Sequence, residues 1–193
     1  VQELGIERFK SLVEENFSKL SNKELEIDKK SIEEIFQYFR LPPLKSSSDK
    51  IPLEDNQDYK NWIKQNVIPH KIKGFSIVQI SLKEPKKPPG DATSNQMKAL
   101  AKFSEDFSFS EIRVTHEQNL VLPHVPNKEL FNLWSQLKKE NLATPNLGLI
   151  TDTICCPGMD YCALATARSI PISQKISNHF NNYCKQKEIG LSL

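Results

Sequence analysis

The sequence lacks any apolar run near the roughly 20 residues that a membrane-spanning helix requires. It also lacks the charged start and apolar stretch of a secretory signal. Its formal charge is only +2 and its basic residues are scattered, which argues against a nucleic-acid-binding surface. Three of its four cysteines fall within residues 155–162, unlike the spaced disulfide framework of a small secreted domain. We therefore expect a cytoplasmic protein that binds neither membrane nor nucleic acid.

What is present fits one or two domains with apolar cores, since 38% of the 193 residues are hydrophobic and 26% are charged. Apolar residues at helical spacing predict a first helix over 6–17. Ser31-Ile32-Glu33-Glu34 predicts a capping box that opens a second helix, which Pro42-Pro43 ends. Residues 44–58 are typical of a linker. Because Val1 opens directly into a helical pattern and Leu193 follows no stop signal, we expect both ends to be cut from a longer protein.

The middle of the chain predicts a compact α+β unit. The predicted elements are a strand over 75–82, a helix with a Thr93/Gln96 capping box and an apolar side of Met97, Leu100, Ala101 and Phe107, strands over 112–115 and 120–122, and a helix over 128–140. The order is strand, helix, strand, strand, helix. This order is close to a ferredoxin-like module that is one strand short.

Beyond Asn141 the pattern changes. Residues 147–150 predict a strand or a turn, and the alanines of residues 163–167 predict a small-residue helix. A last amphipathic helix is predicted by Ile172, Ile176, Phe180 and Cys184.

Two of the cysteines, Cys156 and Cys162, have five residues between them. A zinc finger usually has two to four, whereas a wider spacing suits thiolates that surround an iron–sulfur cluster. Plain buried cysteines are an open alternative, and this is the preferred interpretation for Cys155 and Cys184. A redox-sensing dithiol is a weaker hypothesis, because the spacing is not that of a thioredoxin motif.

Three blocks of sequence carry a more specific signal: GDATSNQM at 90–97, IRVTHEQNLVL at 112–122 and CPGMDYCALA at 156–165. In this order and at comparable separations, they resemble the second half of the assimilatory nitrite/sulfite reductase haemoprotein family. The resemblance covers roughly residues 68–185, and the blocks are most like those of bacterial assimilatory sulfite reductase.

The resemblance implies an α+β fold in which a ferredoxin-like half-module (β-α-β-β-α) is followed by the start of an α/β sirohaem/[4Fe–4S] domain. The implied domains are a helical tail of the preceding sirohaem domain with a linker (1–60), the half-domain (68–141) and the truncated beginning of the sirohaem/[4Fe–4S] domain (142–193).

The implied activity is the six-electron reduction of sulfite to sulfide at a sirohaem coupled to a [4Fe–4S] cluster, with ferredoxin or a flavoprotein as electron donor. Nitrite reduction to ammonia is the alternative within the family. The resemblance makes Cys156 and Cys162 the first pair of cluster ligands. The second pair, Cys–x3–Cys, is not in this chain. We therefore assign it no catalytic residue and expect it to be inactive alone. A non-catalytic ferredoxin-like module that binds zinc or nothing is the alternative from another class.

The resemblance also implies that Arg113, Thr115, Gln118 and Asn119 face the cofactor, since sirohaem carries carboxylates that such donors bind. The alternative for Arg113 is an exposed strand residue. We predict surface or loop roles for His116 and His124, and we predict that Asp91 caps the following helix.

Overall fold

The computed structural model describes residues 2–20, 25–45 and 48–184. The chain forms two compact units, Val1–Pro43 and Leu44–Leu193. In the described ranges, none of the helices has both the length and the apolar character needed to cross a membrane.

The first unit contains helices α1 (Ile6–Ser18) and α2 (Lys29–Tyr38). Helix α1 matches its predicted position. The predicted capping box at Ser31 is wrong, because α2 begins two residues earlier behind Asp28. Asp28 Oδ1 accepts a hydrogen bond from the backbone N–H of Ser31 at 2.9 Å, and its Oδ2 accepts from the Ser31 hydroxyl at 2.7 Å. A carboxylate therefore caps this helix, and the serine hydroxyl supports the cap.

The second unit is built around an antiparallel sheet whose strand order is β1-β2-β4-β3. Its main elements are α3 (Gln57–Asn66), β1 (Val67–Pro69), β2 (Phe75–Ile80), α4 (Ser94–Phe107), β3 (Arg113–Val114), β4 (Leu120–Pro126), α5 (Leu130–Lys139) and α6 (Ile170–Cys184). Short 3₁₀ turns lie at Asn127–Glu129 and Gly158–Asp160. The predicted α+β class and the β-α-β-β-α order are confirmed.

Strand β1 completes the sheet in a way that the sequence did not predict. It pairs antiparallel to β2, with Val67 opposite Val78 and Pro69 opposite Ser76. The strand is only three residues long, so it is too short to show the alternation by which strands are recognised. β1, which precedes the predicted module in sequence, therefore supplies the edge strand that the module lacked.

The core lies between the sheet and its helices. Alternation along β2 buries Val78 and Ile80. Helices α4 and α5 contribute Leu100, Phe103, Phe107, Leu130, Leu133, Trp134 and Leu137. The predicted linker ends earlier than expected, because α3 begins at Gln57, and this helix buries Tyr59 and Trp62 in the same core. Transfer of such aromatic side chains out of water is among the larger favourable contributions to folding.

The predicted capping box of α4 is confirmed. Thr93 Oγ1 accepts from Gln96 N–H at 3.2 Å, and Gln96 Oε1 accepts from Thr93 N–H at 3.0 Å. The prediction that Asp91 caps this helix is wrong, because Thr93 occupies the N-cap position. Met97, predicted on the apolar side, is exposed, whereas Leu100 is buried.

The predicted helix over 163–167 is absent from this part of the described chain. The carbonyl of Ala167 instead accepts a hydrogen bond from the N–H of Met159 at 3.0 Å, which closes a loop. Residues 147–150 form a turn, with Leu149 N–H bonded to Asn146 O at 3.0 Å. Helix α6 is found where the amphipathic pattern predicted it, although Ile172 is exposed. The side chain of Cys184 lies outside the described residues.

A buried ion pair anchors residues 142–154, which we name the connecting segment, to the sheet. Lys83 follows β2, and its Nζ donates to Asp152 Oδ1 at 2.6 Å and to the carbonyl of Glu117. The two charged side chains are only 2% and 8% exposed. Asp152 also accepts from Asn119 Nδ2 and from Gly148 N–H, each at 3.0 Å. Its carboxylate is therefore hydrogen-bonded on both oxygens.

Lys83→Met and Asp152→Asn should each lower the free energy of unfolding by about 3–5 kcal/mol, because each leaves a buried charge without its partner. The measurement is the urea unfolding midpoint of the chain. Lys102→Met is the matched control, since its 2.5 Å pair with Asp106 is exposed. This control should change stability by less than about 1 kcal/mol. Equal effects of Lys83→Met and Lys102→Met would contradict a structural role for the buried pair.

Candidate functional site

The turn that joins β3 to β4, residues 115–119, forms one wall of the candidate site. Thr115 N–H donates to Asn119 O at 2.9 Å, and Gln118 N–H donates to Thr115 O at 3.2 Å. Asn119 N–H donates to Thr115 Oγ1 at 3.2 Å. These bonds hold the turn tightly, and Gln118 takes a positive φ of 59°. We name residues 115–119 the hairpin turn.

The two amides of the hairpin turn bond to other parts of the chain. Gln118 Nε2 donates to Cys155 O at 2.9 Å, and Gln118 Oε1 accepts from Cys155 N–H at 3.0 Å. Asn119 Oδ1 accepts from Leu82 N–H at 3.2 Å, while its Nδ2 binds Asp152. Gln118 and Asn119, both predicted to face a cofactor, therefore join the hairpin turn to other parts of the chain.

The other two predicted cofactor-facing residues are more accessible. Arg113 is exposed on the edge strand β3, where its guanidinium pairs with Glu111 at 2.5 Å. Thr115 is half-buried at the base of the hairpin turn. Both the predicted role of Arg113 and its alternative as an exposed strand residue fit this position.

The cysteines lie in residues 155–169, which we name the cysteine loop. Cys155 is buried, Cys156 is exposed and Cys162 is half-buried, and all three thiols are free. Gly158 has a φ of +62°, and a Cβ there would lie 2.5 Å from the carbonyl oxygen of Ala167. Only glycine fits this approach. Cys162 N–H donates to Gly158 O at 2.9 Å, which turns the backbone between the two predicted ligands.

A cavity of about 500 Å³ lies between the hairpin turn, a proline-rich loop and the cysteine loop. Its lining is mostly apolar and consists of Leu82, Pro88, Pro89, Gly90, Asp91, Val114, Thr115, Gln118, Asn119, Leu120, Cys155, Pro157, Tyr161 and Ile170. The structure thus brings Thr115, Gln118 and Asn119 together, while Arg113 and the two predicted metal ligands lie outside this lining. A second cavity of about 590 Å³ shares Thr115 and Asn119.

The donor set fits an iron–sulfur cluster in part. Cys156 and Cys162 are accessible thiols on opposite sides of a glycine turn, and thiolates are the ligands that such clusters take. A cubane needs four ligands, and among the described residues no group of three or more Cys, His, Asp or Glu side chains is arranged to hold a metal. The cavity linings contain neither lysine nor arginine, so these cavities do not match the carboxylates of sirohaem by charge.

A second polar cluster surrounds His124. His124 is buried on β4, so its predicted surface or loop role is wrong. Its Nδ1 lies 3.3 Å from His70 Nε2, and its Nε2 lies 3.1 Å from Glu111 Oε2. His70 Nδ1 accepts the N–H of Ile72 at 2.9 Å, which leaves Nε2 to donate to His124. His116 is exposed in the hairpin turn, as predicted.

Comparison with known proteins identifies a known kind of domain in the second unit. The family model "Nitrite/Sulfite reductase ferredoxin-like half domain" matches residues 73–140. Those residues are the β2-to-α5 part of the sheet, so the second unit contains a half domain of this class. Together with the relatives described next, this match supports the predicted resemblance of the chain to the nitrite/sulfite reductase haemoprotein family.

Three relatives are named as ferredoxin–nitrite reductases. They come from Spinacia oleracea (24% identical), Synechococcus elongatus (24%) and Betula pendula (26%), and the first and third are named chloroplastic. Each match covers 91% of this chain but only 26%, 29% and 26% of the relative. The chain therefore spans about a quarter of the length of these relatives. The predicted resemblance to the family is confirmed, whereas the sulfite branch and the cytoplasmic location stay predictions.

Sequence reasoning missed several residues of the site. Lys83 and Asp152 are 69 residues apart, and no local pattern indicates that they pair. The contact between Gln118 and Cys155 joins the second recognised block to the residue just before the third, but the blocks alone do not specify this contact. Gly90 was part of the first block, and its φ of +88° explains why that position holds glycine.

Acid should destabilise the chain through His70. Burial, and then the charge of nearby His124, hold the pKa of His70 below its ordinary value, with a smaller contribution from Lys71 in the same direction. The unfolded chain then binds more protons, so stability should fall as the pH drops below the ordinary value of about 6.5. The urea midpoint, measured between neutral and mildly acidic pH, should show this slope.

His70→Gln should make the slope shallower, because it removes the group that gains a proton on unfolding. Gln136→Ala is the control, since it changes a side chain of α5 that gains or loses no proton and should leave the slope unchanged. A slope that is identical in the wild type and in His70→Gln would assign the acid sensitivity to other groups.

Proposed function

We propose that the chain is part of an oxidoreductase that reduces nitrite at a sirohaem coupled to a [4Fe–4S] cluster. The observation that carries this proposal is the Cys156/Cys162 pair, which the described structure presents on a glycine turn joined to the family half domain. The printed names of the relatives favour nitrite as substrate and ferredoxin as electron donor. Sulfite is the second candidate, because the residues of the three sequence blocks are most like those of the sulfite reductase branch.

Two residues of this chain would hold the cluster. Cys156 and Cys162 supply two of the four thiolates, and other residues of the working enzyme supply the rest. When bound, the cluster would supply single electrons for the reduction. The two thiols lie on one loop that contains the glycine turn. The hydrogen bond from Cys162 N–H to Gly158 O holds the backbone in this turn between the two cysteines.

Arg113 would contribute positive charge beside the cofactor. Its guanidinium is exposed on β3, and its pairing with Glu111 through one carboxylate oxygen leaves other N–H groups free to bind an anion. Thr115 adds a hydroxyl that lines the cavity next to the cysteine loop. Arg113, which lies outside the cavity lining, would bind a carboxylate, and no proton transfer is assigned to either residue.

Cys156→Ser and Cys162→Ser should each remove most of the iron and acid-labile sulfide, because serine does not replace a thiolate ligand in a cluster. The measurement is the iron and sulfide content of the protein as the native gene encodes it, purified without oxygen. Cys184→Ser is the matched control, since it lies at the end of α6, outside the cysteine loop. An unchanged iron content in Cys162→Ser would refute the ligand assignment.

The same protein should turn over nitrite with a higher kcat/KM than sulfite when an artificial dye supplies the electrons. Ammonia and sulfide are measured as the two products, so the two substrates are compared in one preparation. A higher kcat/KM for sulfite would favour the second candidate. Loss of both activities with the cluster intact would contradict the proposed reaction.

A further inference from the structure

Gln118 has an unusual backbone. It is a non-glycine residue with a φ of +59°, a conformation that L residues adopt at a cost in free energy. Such a conformation persists where the surroundings impose it, and it often marks a functional constraint.

The side chain of Gln118 binds both backbone groups of one residue. Its amide and its carbonyl bond to Cys155 O and Cys155 N–H at 2.9 and 3.0 Å. This paired arrangement imitates the bonding of a neighbouring strand and restricts the backbone of Cys155. The Cys155 thiol is buried and lies 3.3 Å from the carbonyl of Cys156. Pro157 then restricts the backbone on the other side of Cys156.

Gly90 lies close to the side chain of Gln118. A Cβ at Gly90 would lie 3.2 Å from the Cβ of Gln118, which is a close approach, and Gly90 also has a positive φ. The N–H of Gly90 donates to Leu82 O at 2.9 Å, so the loop is tied to the end of β2. Contacts thus run from the sheet through Gly90 and Gln118 to Cys155.

We propose that Gln118 is a positioning residue that clamps Cys155 and so places the Cys156 thiol for an iron of the cluster. This inference rests on the proposed function, and it gives Gln118 a role different from the cofactor-facing one that the resemblance implies. The carboxamide oxygen and one amide hydrogen are already used within the chain. Cys156 is exposed, so without the clamp its position would depend on the cysteine loop alone.

The clamp is tested first in the 193-residue chain. Hydrogen exchange of the Cys155 amide and alkylation of the Cys155 thiol by iodoacetamide are followed by peptide mapping. Gln118→Ala should speed both by about tenfold, since it removes two hydrogen bonds. Gln118→Glu keeps the acceptor for Cys155 N–H but loses the donor, so its exchange rate should be intermediate. Gln136→Ala is the control, because that amide bonds to Asn132 within α5.

Unchanged exchange and alkylation in both Gln118 variants would overturn the clamp. If Gln118→Ala unfolds the whole chain, hydrogen exchange of the β2 amides is accelerated equally. In that case the intermediate exchange rate expected of Gln118→Glu decides the test. If Gln118→Glu, with β2 still protected, behaves like the wild type, the clamp is also overturned.

The positioning role is tested in the protein as the native gene encodes it. Gln118→Ala should lower the iron and acid-labile sulfide content and alter the electron paramagnetic resonance signal of the reduced cluster, whereas Gln136→Ala should change neither. A normal cluster in Gln118→Ala, with accelerated Cys155 exchange, would overturn the positioning role and leave the proposed function intact. A normal cluster in Cys162→Ser would instead refute the proposed function.

Discussion

The buried pair of Lys83 and Asp152 is the interaction on which the rest of the site depends. Removing two charges from water is costly, and the cost is offset only when the pair is close and its remaining oxygens are hydrogen-bonded. Here the pair is 2.6 Å apart, and Gly148 and Asn119 donate to the same carboxylate. The connecting segment is thereby held against the end of β2. The cysteine loop starts from a fixed point because this segment leads directly into it.

The hairpin turn provides the second attachment. Its neighbouring residues Gln118 and Asn119 bind Cys155 and Asp152, so one tight turn holds two points of the chain that follows the half domain. The cysteine loop has only a short 3₁₀ turn of its own at Gly158–Asp160. Its geometry is therefore imposed by the sheet, through side-chain amides, more than by local secondary structure. This arrangement gives the loop that carries Cys156 and Cys162 two fixed attachments to the sheet.

The parts of the fold that could be predicted are those with a local signal. The alternation of β2, the Thr93/Gln96 capping box and the apolar face of α5 each lie within one stretch of sequence, and each was confirmed. The helix expected over 163–167 failed because the carbonyl of Ala167 bonds to Met159 instead, in a loop that only Gly158 permits. The Lys83–Asp152 pair and the His70–His124 contact were not predicted, since they join residues 69 and 54 positions apart. Cys156 and Cys162 were predicted as metal ligands from their spacing and the resemblance, whereas the contacts of Gln118 and Asn119 required the folded chain.

Glu111 connects the exposed edge of the site to its buried side. One of its carboxylate oxygens accepts from Arg113, and the other lies 3.1 Å from His124 Nε2. The orientation of Arg113 on β3 therefore depends on a carboxylate that is also held by the histidine pair.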